Sequence, residues 1–298
     1  MPSFRQAGSL AAIVLVWLLA GCGSDGGGGG GGGSTDGLAI EAKKIFPAGT
    51  SENQAIALAA DIEAAAAVGD HATADARVFS LTELTLTEYR AGKLGRSGAL
   101  PGELSTFLKD VFEAGGLATP PIRAASFGSE GILVVVDAAG GTFITRTLRA
   151  GIGIPPGALE RPVLLVADRL PDAAAHAPGD GPLPTNLDQY PLFYEFTFTP
   201  AMTLSADGTL GLCLVSDPAS AYYAPDEVLG RLQLAHPDPA DAGALEFLER
   251  VEARFLDCDD VRPKATGAGQ VILARRPGIG GRVRTFSPFA AVDPGPPP

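Results

Sequence analysis

From about residue 120 onward, apolar or β-branched runs of four to nine residues recur, divided by glycine and proline. That punctuation leaves little room for a long helix, because proline removes a backbone donor and glycine weakens a helix interior. What remains are short extended segments, which bury their apolar faces by pairing edge to edge. Residues 132–136 run into Asp137-Ala138-Ala139-Gly140-Gly141, a turn. Residues 142–148, 163–167, 251–256, 271–274 and 283–286 are further strand candidates. In residues 192–198, Leu192, Tyr194, Phe196 and Phe198 share one face and Glu195 and Thr197 the other, the period of a half-buried antiparallel strand. Asp207-Gly208 reads as a hairpin turn between 202–204 and 210–215. Residues 225–234 and 244–249 read as short helical pieces. Many short strands at this spacing predict a mainly β chain, an antiparallel β-sandwich of immunoglobulin-like kind.

The residues before 120 follow a different pattern. Ser51-Glu52-Asn53-Gln54 fits a capping box and leads into an Ala-rich stretch to Val68, with Gly69 as a stop. Pro101 opens a second helix, whose Leu104, Phe107, Leu108, Val111 and Phe112 form one apolar stripe before Gly115-Gly116. Between them, residues 77–89 fit both periods: Phe79 and Leu81 alternate, while Leu81 and Leu84 suit a helix. We read this stretch as a strand. Thr119-Pro120-Pro121 is the natural boundary. The expected layout is a small helical N-terminal region at 38–118, either a separate domain or a cap on the sheet. A β-sandwich at 119–290 and a Pro-rich disordered tail at 291–298 follow.

The first residues carry a separate message. Arg5 is the only charge among the first 24, and residues 10–20 are an unbroken apolar run of 11. A membrane-spanning helix needs about 20 such residues. The run is therefore too short to span, and it suits the apolar core of a signal peptide over 1–21. It ends at Leu19-Ala20-Gly21-Cys22, which resembles the lipobox of bacterial lipoproteins. The resemblance implies a diacylglycerol on the Cys22 thiol, cleavage before Cys22, and a further fatty acyl group such as palmitate on the new amino end. Several acyl chains anchor stably where one does not, because each buried methylene adds about 0.8 kcal/mol. Gly23 stands where inner-membrane lipoproteins of enterobacteria carry Asp, so the resemblance points to the outer membrane. Eight glycines at 26–33 follow, within a stretch over 22–37 that reads as a flexible tether. Over about 15 residues its end-to-end distance is roughly 20 Å.

The net charge of −12 argues against nucleic acid, which needs a basic surface. It also argues against electrostatic adhesion to anionic lipid, so the expected membrane contact is the lipid anchor alone. Of three cysteines, Cys22 is taken by lipid. Cys213 and Cys258 remain, an even pair in an exported chain, and are expected to form a disulfide. The alternative is two buried free thiols.

Ile152-Gly153-Ile154-Pro155-Pro156-Gly157-Ala158-Leu159, followed by Pro162-Val163, resembles a signature of the zonula occludens/uncoordinated-type (ZU) β-sandwich. Phe196-Thr197-Phe198-Thr199-Pro200 is similar to that family's later aromatic segment. The resemblance spans about 125–215. It implies a non-enzymatic module with a structural or partner-binding role.

Catalytic patterns are scarce. The three histidines, His71, His176 and His236, form no His-Glu-x-x-His. Gly128-Ser129-Glu130-Gly131 lacks the spacing of a nucleophile elbow. Gly151-x-Gly153 lacks a third glycine, and Pro155-Pro156 would block the helix a dinucleotide site needs. Asp257, Asp259 and Asp260 form one acidic cluster, and His236, Asp238 and Asp241 another. Neither has the register of a calcium loop, and both read as solvated loops. No cofactor or metal is implied. The expected function is a lipid-anchored cell-envelope protein with a non-catalytic structural or partner-binding β-sandwich. Its partner would be a protein or an envelope polymer. The rival expectation is an envelope hydrolase acting on polymers or sugars through carboxylates or through Ser129 with His176.

Overall fold

The computed structural model describes residues 37–94, 101–170, 188–216, 218–237, 245–263, 270–285 and 288–293. These belong to one compact unit. Cys22, the apolar leader and the glycine run lie outside the described residues. The described residues combine α-helices with antiparallel sheets rather than forming a mainly β chain.

Four helices come first: α1 (Leu38–Ile45), α2 (Thr50–Ala67), α3 (His71–Arg90) and α4 (Pro101–Ala114). The helix predicted after Ser51 is present, but its N-cap is Gly49 and no side chain caps it. The Ser51 capping box is therefore not formed. The strand expected at 77–89 is instead the second half of α3. Asp70 starts that helix by accepting a hydrogen bond from the Thr73 N–H at 3.1 Å. In α4, Pro101 occupies the first turn, where its missing N–H costs nothing. All five stripe residues, Leu104 to Phe112, are buried there. No described helix is long and apolar enough to cross a membrane.

Past a 3₁₀ turn at Ala124–Phe127 the chain enters its strands: β1 (Ile132–Val136), β2 (Gly141–Ile144), β3 (Ala150–Ile154), β4 (Val163–Arg169), β5 (Asp188–Thr199) and β6 (Gly208–Leu212). A single turn, α5 (Asp226–Leu229), precedes β7 (Gln233–Pro237), β8 (Leu245–Phe247), β9 (Arg250–Pro263), β10 (Gln270–Val283) and β11 (Pro288–Asp293). One sheet has the order β1-β4-β5-β11-β7-β8 and the other β2-β3-β6-β10-β9. All named pairings are antiparallel.

Several sequence expectations change here. Within the piece expected as helical at 244–249, Leu245–Phe247 form β8 because they pair with β7, and the helical piece at 225–234 shrinks to α5. Residues 202–204 join no strand. Gly208 opens β6, between β3 and β10, so Asp207-Gly208 is not a hairpin turn. Residues 291–293 belong to β11 and not to a disordered tail.

Burial follows the two-residue period. In β4, Val163, Leu165 and Ala167 join a cluster shared with Ile152, Leu210 and Leu212 of the other sheet. Leu164 and Val166 point the opposite way, into a second cluster with Phe79, Leu108 and Phe112 of the helices. The strand is apolar throughout because both its faces are covered. Burying each such side chain contributes about 1.5–3 kcal/mol. As expected, Leu192, Tyr194, Phe196 and Phe198 of β5 all face the first cluster. The Cys213–Cys258 disulfide is present, with a Cα–Cα distance of 5.5 Å, packed against Ala253 and Leu256.

Candidate functional site

Among the described residues β1 and β2 are each the terminal strand of their sheet, and both border one groove. Its volume is about 780 Å³. Ile132, Leu133 and Val134 of β1 form one wall, and Thr142, Phe143 and Ile144 of β2 another. The end of α3 closes it with Leu86, Tyr89 and Arg90, next to Phe127 of the 3₁₀ turn. Tyr89 and Phe127 pack edge to face, with ring centroids 5.1 Å apart. The size is that of a ligand site, and its lining is apolar and polar in similar measure.

Two guanidinium groups sit at this groove. Arg90 Nη2 donates to the Leu133 carbonyl at 2.6 Å, and Arg146 Nη2 to the Phe127 carbonyl at 3.1 Å. Neither makes an ion pair among the described residues, and no carboxylate lines the groove. In a chain of net charge −12, the charged side chains among the described lining residues are both positive.

The turn after β2 borders the groove. Thr145 is buried, and its Oγ1 accepts the N–H groups of Arg149 at 3.1 Å and Ala150 at 3.2 Å. That knot drives Leu148 into a left-handed conformation, φ 58°, and leaves it 47% exposed. The Thr147 N–H donates to the Ser129 carbonyl, tying the turn to the 128–131 loop.

Beside it, Glu130 accepts hydrogen bonds from the Tyr222 hydroxyl and from Arg169 Nη1, the latter at 3.1 Å. The guanidinium groups of Arg149 and Arg169 lie 4.7 and 5.0 Å from the Tyr222 ring centroid. Burial, then the Glu130 hydrogen bond and charge, hold the Tyr222 phenol above its ordinary pKa. The Tyr194 hydroxyl is buried nearby without a partner, and burial pushes its pKa far up. Under the 3₁₀ turn, Asp168 accepts from the Ser126 hydroxyl at 2.9 Å, while its Oδ1 has no partner. Burial raises its pKa against the opposing pull of Ser126 and Arg123. These carboxylates are held by neighbours and do not converge on the groove.

The residues singled out in the sequence are scattered. Ser129 is exposed and contributes its carbonyl rather than its hydroxyl. His71 is exposed at the start of α3, and His176 lies outside the described residues. His236 is buried in β7 with Nε2 3.2 Å from Glu246, so it is no solvated loop residue, while Asp238 and Asp241 lie outside the described residues. Asp257, Asp259 and Asp260 fall on β9 and not on a loop. Among the described residues no three His, Cys, Asp or Glu side chains are placed to hold a metal ion. Gly151 and Gly153 lie under the Phe255 ring. Sequence reading missed Arg90, Arg146, Tyr89 and Phe127, which come from three separate segments without a shared motif. No protein-family model and no curated protein matches the chain.

Proposed function

We propose that this chain is a lipid-anchored cell-envelope protein, held at the outer membrane through Cys22, whose folded part binds a partner without catalysing a reaction. The observation that carries the binding reading is the groove bordered by β1 and β2, which combines apolar side chains with two arginines bonded, among the described residues, to carbonyls. The anchor reading is supported by Leu19-Ala20-Gly21-Cys22, the short apolar run before it and the glycines after it.

The fold is read in the same proposal as a ZU-like β-sandwich with helices layered on one sheet. The ZU-like motif supports this. Ile152 and Ile154 end β3, Pro155-Pro156-Gly157 turns, with Gly157 at φ 76°, and Ala158 and Leu159 are buried before β4 begins. The turn is tied down by the Gly157 N–H donating to the Ala138 carbonyl at 2.7 Å.

The test uses the full chain in cells, with a photo-reactive phenylalanine at position 143 in the groove or at position 68. Val68 is 80% exposed, at the end of α2. The expected result has three parts: acyl mass on Cys22, release of the Cys22→Ser protein from membranes, and cross-links from 143 but not from 68. Membrane association that survives Cys22→Ser, or equal cross-linking from both positions, would overturn it.

A further inference from the structure

We propose that the groove takes an extended peptide bearing an acidic side chain, which adds as an extra strand along the free edge of β2. This rests on the reading of the folded part as a partner-binding module.

The backbone geometry of β2 carries the argument. The Thr145 N–H donates to the Ala150 carbonyl at 2.9 Å, which turns the backbone of residue 145 toward β3. Hydrogen-bonded pairs alternate along an antiparallel ladder. With Phe143 opposite Ile152 and Gly141 opposite Ile154, those residues bond to β3. Thr142 and Ile144 therefore turn their N–H and C=O groups outward. β2 ends its sheet, so no strand among the described residues meets them. They present two donors and two acceptors about 7 Å apart, the repeat of a paired strand.

The occupant follows from what these groups need. An acyl chain or other amphiphile filling the groove would strip water from the Thr142 and Ile144 backbone and leave it unpaired, which is unfavourable. A peptide strand pairs the same groups and sends alternate side chains against Tyr89, Phe127 and Ile132. The β1 edge is the poorer template, because Arg90 already occupies the Leu133 carbonyl. Charge fixes the remaining chemistry. Each guanidinium has five N–H donors, and the bonds of Arg90 and Arg146 leave most of them open. An acidic side chain meets them in charge-assisted hydrogen bonds, in a groove with no competing carboxylate among its described lining residues.

The experiment is selection from a randomised decapeptide library on beads, using the full-length protein. Acidic, proline-free sequences should be enriched. The best peptide is then remade with N-methyl groups on either alternate set of amides. One set should weaken binding at least tenfold, and the other should leave it unchanged. Thr142→Pro, which removes one outward N–H and leaves the β2–β3 ladder intact, should weaken binding similarly. Arg146→Glu should shift selection from acidic to basic peptides. The N-methyl peptides test the pairing even if Thr142→Pro fails to fold. Enrichment of no extended sequence, or equal binding of both N-methyl sets, would overturn the proposal. If dodecanoate binds in the groove and peptides do not, strand addition is wrong while the partner-binding reading stands. Loss of both, together with no cross-link from position 143, would sink both.

Discussion

Replacing Cys213 and Cys258 together by alanine should cost about 5 kcal/mol. The bridge joins positions 45 residues apart, closing a loop that contains α5, β7 and β8. Opening a loop of that length returns about 13 cal/mol/K to the unfolded chain, or roughly 4 kcal/mol at 25 °C. Both sulfurs are buried, Cys213 fully and Cys258 to within 2%, so truncation also leaves a small cavity against Ala253 and Leu256. That adds about 1 kcal/mol. Domains of this kind are stable by about 5–15 kcal/mol, so the loss removes a third or more of the total. Urea unfolding followed by far-ultraviolet circular dichroism measures it. With a slope of about 3 kcal/mol/M, the midpoint should fall by about 1.5–2 M, and the slope should rise because the unbridged unfolded chain exposes more surface. A midpoint shift below about 0.3 M would refute the loop-entropy reasoning.

Three further outcomes follow from particular residues. Leu164→Ala opens a cavity between β4 and the helices and should cost about 2–5 kcal/mol, with helix and sheet signals lost in one transition. Two separated transitions would contradict the shared cluster. Asp168 has its carboxyl pKa raised by burial, so the folded state holds its proton more tightly than the unfolded chain does. The stability it contributes is fully present below the unfolded value of about 3.9 and is lost as pH rises through the folded value. Asp168→Asn should therefore gain in melting temperature relative to the parent on going from pH 4 to pH 7, and the opposite trend would contradict the burial argument. Leu148→Gly relieves a left-handed φ that costs a side-chain-bearing residue about 1–2 kcal/mol. The melting temperature should rise by about 2–4 °C, and a fall would show that Leu148 makes contacts that outweigh its strain.

The sequence was most legible where local pattern and tertiary demand agree. The α4 stripe, the run of β1 and the alternation of β5 each have a period that the final packing uses directly. Residues 77–89 misled because Thr82 and Thr85 break the apolar stripe of α3. Both are fully buried, and their hydroxyls donate back to the carbonyls of Val78 and Leu81 at 2.8 and 2.7 Å. The helix thus hides two polar side chains in its own backbone, and the apolar pattern that survives looks like a strand. Residues 244–249 misled for the opposite reason, since pairing with β7 overrides their helical composition. At Asp207-Gly208 the turn chemistry was present, but the Asp207 carboxylate is held by Arg284 and Gly208 enters a ladder. The disulfide was readable from counting cysteines. The groove was not, because its arginines bond to carbonyls contributed by distant segments.

The position of β11 has a consequence for how the chain can be made. This strand follows β5 and β7 in the chain yet lies between them in its sheet. A chain emerging N-terminus first, whether from a ribosome or across a membrane, holds two unjoined half-sheets until residues 288–293 arrive. The sheet is joined only once those residues are in place. A polypeptide cut short before that strand retains exposed edges on both halves, a form suited to proteolysis or to further transport but not to stable accumulation.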